Sequence, residues 1–323
     1  MSKTAFVFPG QGSQRVGMGR ALVERRPAFL ASHYRVADEI LGMPLTELSW
    51  EGPAEDLRAM PVTQPAVFLT SVVALEVLRT YGIEPDAVAG HSLGEFAAMV
   101  AAGVLDWRDG LRLVRLRGEL MESVNRTVPG SMGAVIGLTP AEVEELCVRA
   151  ATATGDVVEI ANQNDHRQLV VSGHRDAVNR LLELADLAGA RRALTLEVGG
   201  AAHCSLLSGI EDEFGQALAA LPLRDPEIPV FSAITAAPVR TAREAADCLR
   251  RQFTARVLWA DTAEALAKAG VDRFVEAGPG KTLSTLTGRL CPDAVSYRTS
   301  DADHLDRTLA AFSVPDALKA EPA

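Results

Sequence analysis

The sequence predicts an α/β fold with a largely parallel sheet, on three observations. Short apolar strands alternate with helical patterns along most of the chain. One of those strands passes into a helix through the tight, glycine-flanked turn Gly90-His91-Ser92-Leu93-Gly94. A block of different rhythm interrupts the alternation between about residues 127 and 197. With 323 residues, 48% of them hydrophobic, the chain is long enough to bury a sizeable core.

Taken in order, Ala5-Phe6-Val7-Phe8 is a short apolar strand that ends at the loop Pro9-Gly10-Gln11-Gly12. Thr63-Gln64-Pro65 opens a helix with proline in its first turn, and Gly82 stops it. Pro85-Asp86-Ala87-Val88-Ala89 is the next strand, and Glu95 to Ala102 has high helix propensity before Gly103 ends it. Asp106 is placed to cap a helix carrying Leu111, Val114, Leu116, Leu120 and Met121.

The interrupting block starts at Thr127-Val128-Pro129-Gly130-Ser131. Gly133 to Leu138 is a strand, and Thr139-Pro140-Ala141-Glu142 is a capping box that opens a helix. Val157 to Ala161 and Gln168 to Ser172 are two more strands, followed by a helix from about Asp176 to Leu187 and a strand from Ala193 to Val198. Strand, helix, strand, strand, helix, strand is the order of a ferredoxin-like unit. The larger unit resumes with strands at Pro229-Val230-Phe231-Ser232 and Arg273-Phe274-Val275-Glu276. The expected organisation is therefore a large α/β-hydrolase-like domain over 1–126 and 198–312, with a small ferredoxin-like domain inserted over 127–197. Residues 313–323 are expected to form a flexible tail.

Composition narrows the function. A formal charge of −10 argues against nucleic acid and anionic membranes as partners. The N-terminus lacks the features of a secretory signal, and no uninterrupted apolar run approaches the roughly 20 residues that span a bilayer, so a cytoplasmic location is expected. Cys147, Cys204, Cys248 and Cys291 lie far apart without metal-ligand spacing and are expected to be reduced, packed thiols. No metal or cofactor is implied.

The Gly90 to Gly94 turn has the form of a nucleophile elbow, in which glycines two residues either side of a serine relieve the crowding of a sharp strand-to-helix turn. Ser92 is the candidate nucleophile. The backbone N–H of Leu93, at the start of a helix dipole, is placed to stabilise an oxyanion. A base must come from six histidines. His33, His174 and His304 are expected at the solvated surface, and His91, adjacent to the serine, is expected to point away from its hydroxyl. His166 and His203 remain. His203 follows Gly199-Gly200-Ala201-Ala202, where small residues allow close approach of another chain segment.

Six stretches then carry a resemblance: Phe8 to Gln14, Gly90 to Glu95, Arg115 to Met121, Ile160 to Asn162, Ala202-His203 and Glu276 to Lys281. In this order they resemble the malonyl-CoA:acyl carrier protein transacylases of fatty-acid synthesis and the acyltransferases of polyketide synthases. The resemblance implies an acyl-serine on Ser92 and His203 as general base, a dyad oriented by the backbone carbonyl of Gln252 instead of a catalytic aspartate. It implies Gln11 as the second oxyanion donor, and Asn162, Gly200 and Ala202 as part of the acyl pocket. Arg117 resembles the arginine that grips a malonyl carboxylate through two parallel hydrogen bonds. From the residues alone, Arg117 reads as half of a salt bridge on an exposed helix face, with Glu119 or Glu95 as its partner. The implied partners are an acyl-CoA and an acyl carrier protein. Carriers are typically acidic, which makes Arg256, Lys281, Arg289 and Arg298 candidates for docking.

Two departures bear on the substrate. Ala202 is smaller than the serine or bulky aromatic residue that the family often places before the histidine. Within Asn162-Gln163-Asn164-Asp165-His166-Arg167-Gln168, His166 and Arg167 introduce polar or cationic groups where the family has neutral ones. The leading expectation is malonyl transfer from CoA to a carrier thiol. The alternative is a trans-acting polyketide-pathway acyltransferase that moves a larger acyl or aminoacyl group between carriers. A serine hydrolase is the more remote alternative, because α/β-hydrolases place their histidine late in the chain, and here only His304 is late. A noncatalytic carrier-docking module fits least, since both Ser92 and His203 are present.

Overall fold

The computed structural model describes residues 2–312, and the expected flexible tail lies outside the described residues. Among the described residues ten strands occur in chain order: β1 (Lys3–Phe8), β2 (Ala87–Gly90), β3 (Gly130–Ile136), β4 (Val158–Asp165), β5 (Gln168–His174), β6 (Arg192–Thr195), β7 (Val230–Ser232), β8 (Ala237–Val239), β9 (Val271–Glu276) and β10 (Val295–Arg298). Six of them form one sheet in the order β10-β9-β1-β2-β7-β8, and it is parallel except where β8 turns back on β7. β1 lies near the middle and is buried on both faces, which is why it reads as a continuous apolar run. Its Phe6 and Phe8 join one core with the Met60–Thr80 helix, while Ala5 and Val7 face a second core containing Trp259 and Phe274.

The other four strands form an antiparallel sheet in the order β4-β5-β3-β6. Helices Pro140–Thr154 and Arg175–Leu187 complete the β-α-β-β-α-β order, and the capping box at Thr139 opens the first of them. The two-residue alternation of β5 divides its labour. Leu169 and Val171 pack in the core that holds Leu146 and Leu181, and Val170 turns to the opposite face with Met132, Ala161, Leu196 and Ala202. That second face forms a wall of the cavity described below.

Several expectations need correction. The helix expected to start at Thr63 runs from Met60 to Thr80, with Pro61 in its first turn and Pro65 inside it. A proline at position 65 cannot donate to the carbonyl four residues earlier, and here the Arg115 guanidinium takes that Pro61 carbonyl at 2.8 Å instead. The helix is long and apolar enough by composition to cross a bilayer, yet 89% of its apolar window is buried inside the protein. It is a core helix. His33 is not a solvated surface group, because its ring stacks on Trp107 with centroids 4.7 Å apart, and burial lowers its pKa to about 4. His174 accepts the Val157 N–H, and His304 bonds Asp301. The edge strands β8 and β10 had no counterpart among the strands expected from sequence.

Candidate active site

β2 delivers the chain to the elbow, and the helix Gly94–Ala101 leaves it. Ser92 sits at the tip with φ 54°, a left-handed conformation that a non-glycine residue adopts only under constraint. The flanking glycines are a steric requirement. A Cβ on Gly90 would lie 2.1 Å from the Gly94 carbonyl carbon, and one on Gly94 would lie 2.0 Å from the Phe8 carbonyl oxygen. The turn thus closes against the end of β1, which brings the Pro9 to Ser13 loop beside the serine.

His203 approaches from the loop after β6, itself with φ 57°. Its Nε2 lies 2.6 Å from Ser92 Oγ, and its Nδ1 lies 2.5 Å from the Gln252 carbonyl oxygen. A carbonyl only accepts, so the Nδ1 nitrogen carries the proton and Nε2 presents a lone pair to the serine. Burial is the largest cause, and the charge of Arg117 the next, of a His203 pKa lowered to about 3. The imidazole is neutral at neutral pH.

Arg117 is buried at 1% exposure, which rules out a surface salt bridge. Glu119 pairs with Arg115 instead. Arg117 Nη1 donates to Gln64 Oε1 at 2.8 Å, Nη2 donates to Ser92 Oγ at 3.2 Å, and the guanidinium stands 5.5 Å from the Phe253 ring centroid. Burial pushes its pKa down to about 10 while Glu95 opposes the shift, so it stays protonated at neutral pH. Its Nε has no hydrogen-bond partner among the described residues.

These groups line a cavity of about 260 Å³, together with Gln11, Asn162, Gly200 and Ala202. Met60, Met121, Met132, Val170 and Val198 supply its apolar wall. Gln11 belongs to the loop braced by the Ser13 hydroxyl on the Gly10 carbonyl, 2.6 Å apart. Neither the Gln11 nor the Leu93 N–H donates to a protein acceptor among the described residues. His91 points its Nε2 at Asn164 Oδ1, 2.7 Å away, and leaves the serine to His203.

The departures in the β4–β5 segment fall elsewhere. His166 bonds Glu264 at 2.7 Å with its side chain exposed, and Arg167 donates to the Gly137 carbonyl. Neither lines the cavity, where Arg117 is the only guanidinium among the described residues. Of the residues considered for carrier docking, Arg256 pairs with Glu144, Arg289 pairs with Asp165, and Arg298, at the end of the edge strand β10, bonds His304. Lys281 is exposed and adjoins Thr282 and Leu283, which line the cavity. Sequence reasoning missed Gln64, Asn164 and the three methionines. Gln64 had a signal, since it is the one amide side chain in a helix of mostly apolar residues.

Comparison with known proteins agrees with this geometry. The model of the acyl transferase domain matches residues 5–289. A malonyl CoA-acyl carrier protein transacylase of Bacillus subtilis is 38% identical over 306 residues, 95% of this chain and 96% of its own length. The crystal structure of an acyl carrier protein S-malonyltransferase from Vibrio cholerae superposes with a TM-score of 0.89 at 40% identity, covering 95% of this chain and all of that one. A malonyl-transacylase in complex with its type II polyketide synthase acyl-carrier protein superposes at 0.91 with 35% identity, over 96% of this chain and 100% of that one. The chain therefore belongs to the acyl transferase family, among the malonyl CoA-acyl carrier protein transacylases.

Proposed function

We propose that this acyltransferase takes a malonyl group from CoA onto Ser92 and passes it to the phosphopantetheine thiol of an acyl carrier protein. In the first half-reaction Ser92 Oγ attacks the thioester carbonyl as His203 Nε2 takes the serine proton. The oxyanion meets the N–H groups of Gln11 and Leu93. The C–S bond breaks, and the proton on His203 leaves with CoA as its thiol. In the second half-reaction the carrier thiol gives its proton to His203 and attacks the acyl-serine, and Ser92 recovers that proton as it leaves. Gln252 takes no part in bond making, and its carbonyl holds the imidazole in the useful tautomer.

The observation that carries the malonyl reading is Arg117, a buried cation within reach of the nucleophile and without a carboxylate in ion-pair contact among the described residues. A free carboxylate on the acyl group would supply the missing charge. Asn162, Gly200 and Ala202 shape the space around that group. The apolar wall and the small Ala202 side chain favour a second reading, a larger acyl or aminoacyl group moved between carriers of a polyketide pathway. We take 127–197 as an inserted domain whose inner sheet face forms this wall. Lys281 is the candidate contact for an acidic carrier at the cavity mouth, while Arg256, Arg289 and Arg298 are already engaged. We also take the cytoplasm as the site of action, since the Met60–Thr80 helix is committed to the core.

The experiment is incubation with labelled malonyl-CoA and a holo carrier protein, with label counted on enzyme, carrier and water. Label on the enzyme that chases to the carrier supports the reading. Release as free malonate at the same rate with and without carrier means a hydrolase.

A further inference from the structure

Glu95 lies in the first turn of the helix that leaves the elbow, and it is fully buried. Its carboxylate is met by donors from two other segments. Oε1 accepts from the Ser232 hydroxyl at 2.6 Å and from the Ala233 N–H at 2.7 Å, and Oε2 accepts from Gln252 Nε2 at 3.3 Å. Ser232 Oγ also accepts the Ile234 N–H, which leaves its own proton for Glu95. Gln252 is fully buried, and its Oε1 has no partner among the described residues. The bond to Glu95 is thus the one polar tether of that side chain among the described residues. The carbonyl of the same residue orients His203.

We propose that Glu95 is a positioning residue of the dyad, whose carboxylate ties the elbow helix to Gln252 and to the end of β7 and so fixes the carbonyl that aligns His203. The proposal rests on the Ser92–His203 reading above. Three donors converge on one acceptor-only group, so protonation or replacement by an amide puts a donor opposite Gln252 Nε2, and the Gln252 side chain must turn over to present Oε1, which rearranges the tether. Burial raises the Glu95 pKa to about 7 against the opposing pull of its donors and Arg117. The other titratable groups that face it hold their state there. Arg117 stays protonated, the Cys248 thiol is pushed up by burial, and His203 stays neutral.

The test reads the serine directly with a small fluorophosphonate. Ser92 Oγ forms a bond to phosphorus, the P–F bond breaks, fluoride leaves, and His203 takes the serine proton. Intact mass follows the adduct. In wild type the labelling rate is expected to fall as pH drops through about 7. Glu95→Gln is expected to label about tenfold more slowly at pH 8, with no step near pH 7. Gln252→Ala keeps the carbonyl but loses the tether, and is expected to be slowed to a similar degree. The double variant is expected to be no slower than the slower single one. Thermal unfolding confirms that each variant is folded. Labelling of Glu95→Gln at the wild-type rate overturns the proposal, as does multiplication of the two single effects in the double variant. A wild type that labels with fluorophosphonate but not with malonyl-CoA defeats the substrate reading and leaves this inference standing.

Discussion

Arg117 Nη2 donates to Ser92 Oγ at 3.2 Å, on the same oxygen that His203 Nε2 approaches to 2.6 Å. One guanidinium therefore touches the proposed nucleophile and lines the cavity proposed for the acyl group. Removing it by Arg117→Ala is expected to leave a malonyl carboxylate unpaired in a buried pocket, at a cost of about 2–5 kcal/mol. Malonyl transfer should fall by roughly 30-fold or more, while acetyl transfer, which needs no charge partner, should fall far less. Steady-state kcat/KM for both thioesters checks this. Equal losses on the two would remove the carboxylate role.

Ser92→Ala should give no covalent adduct with malonyl-CoA by intact mass, since no second hydroxyl among the described residues is held on such a turn. His203→Ala should still bind the thioester but acylate about 10²–10⁴-fold more slowly. An adduct that forms on the Ser92→Ala protein at the wild-type rate would place the nucleophile elsewhere.

Ala202 lies on the cavity wall beside Met132 and Val170. Ala202→Phe should fill space that a bulky acyl group needs and leave room for a small one. The ratio of kcat/KM for a bulky acyl thioester to that for malonyl-CoA should drop in the variant. A wild type that ignores malonyl and accepts the bulky group would move the enzyme to the second reading.

His203 also has a thermodynamic signature. Its folded-state pKa of about 3 lies below the ordinary 6.5, so between these values the unfolded chain binds a proton that the folded chain refuses. Stability contributed by the neutral imidazole is complete above pH 6.5 and is lost as pH falls toward 3. Compared with His203→Gln, wild type should therefore lose unfolding free energy as pH falls through this window and run parallel above it. A tenfold difference in proton affinity between the folded and unfolded chains corresponds to about 1.4 kcal/mol. Denaturant midpoints at several pH values measure it, and parallel curves throughout would contradict a depressed pKa.

Legibility in the sequence followed the range of the interaction. The elbow was readable because its causes are local: strand, two glycines and helix propensity lie within a few residues. The same holds for the Asp106 cap, whose carboxylate accepts the Arg108 N–H, and for the Thr139 box. Arg117 was within reach of a local reading as well. It falls three residues after Val114 and four before Met121, on the buried face of its helix, although its charge argued for the surface. Asn164 was not within reach, because its contact with His91 spans 73 residues. Glu95 drew notice as a helix start, as the end of the elbow stretch and as a possible partner for Arg117, but not for its link to Gln252, since its three donors lie more than a hundred residues away. The edge strands β8 and β10 escaped because they are three and four residues long and partly exposed, which leaves little pattern to see.

The separation between Ser92 and its partners has one more consequence. His203 lies 111 residues beyond the serine, and Gln252 a further 49. A chain still emerging during synthesis, or cut between these points, carries the sharp turn without the imidazole that meets its hydroxyl. On the proposed mechanism such a molecule has an ordinary alcohol and does not consume thioesters ahead of time. On that mechanism, reactivity is a property of the finished chain.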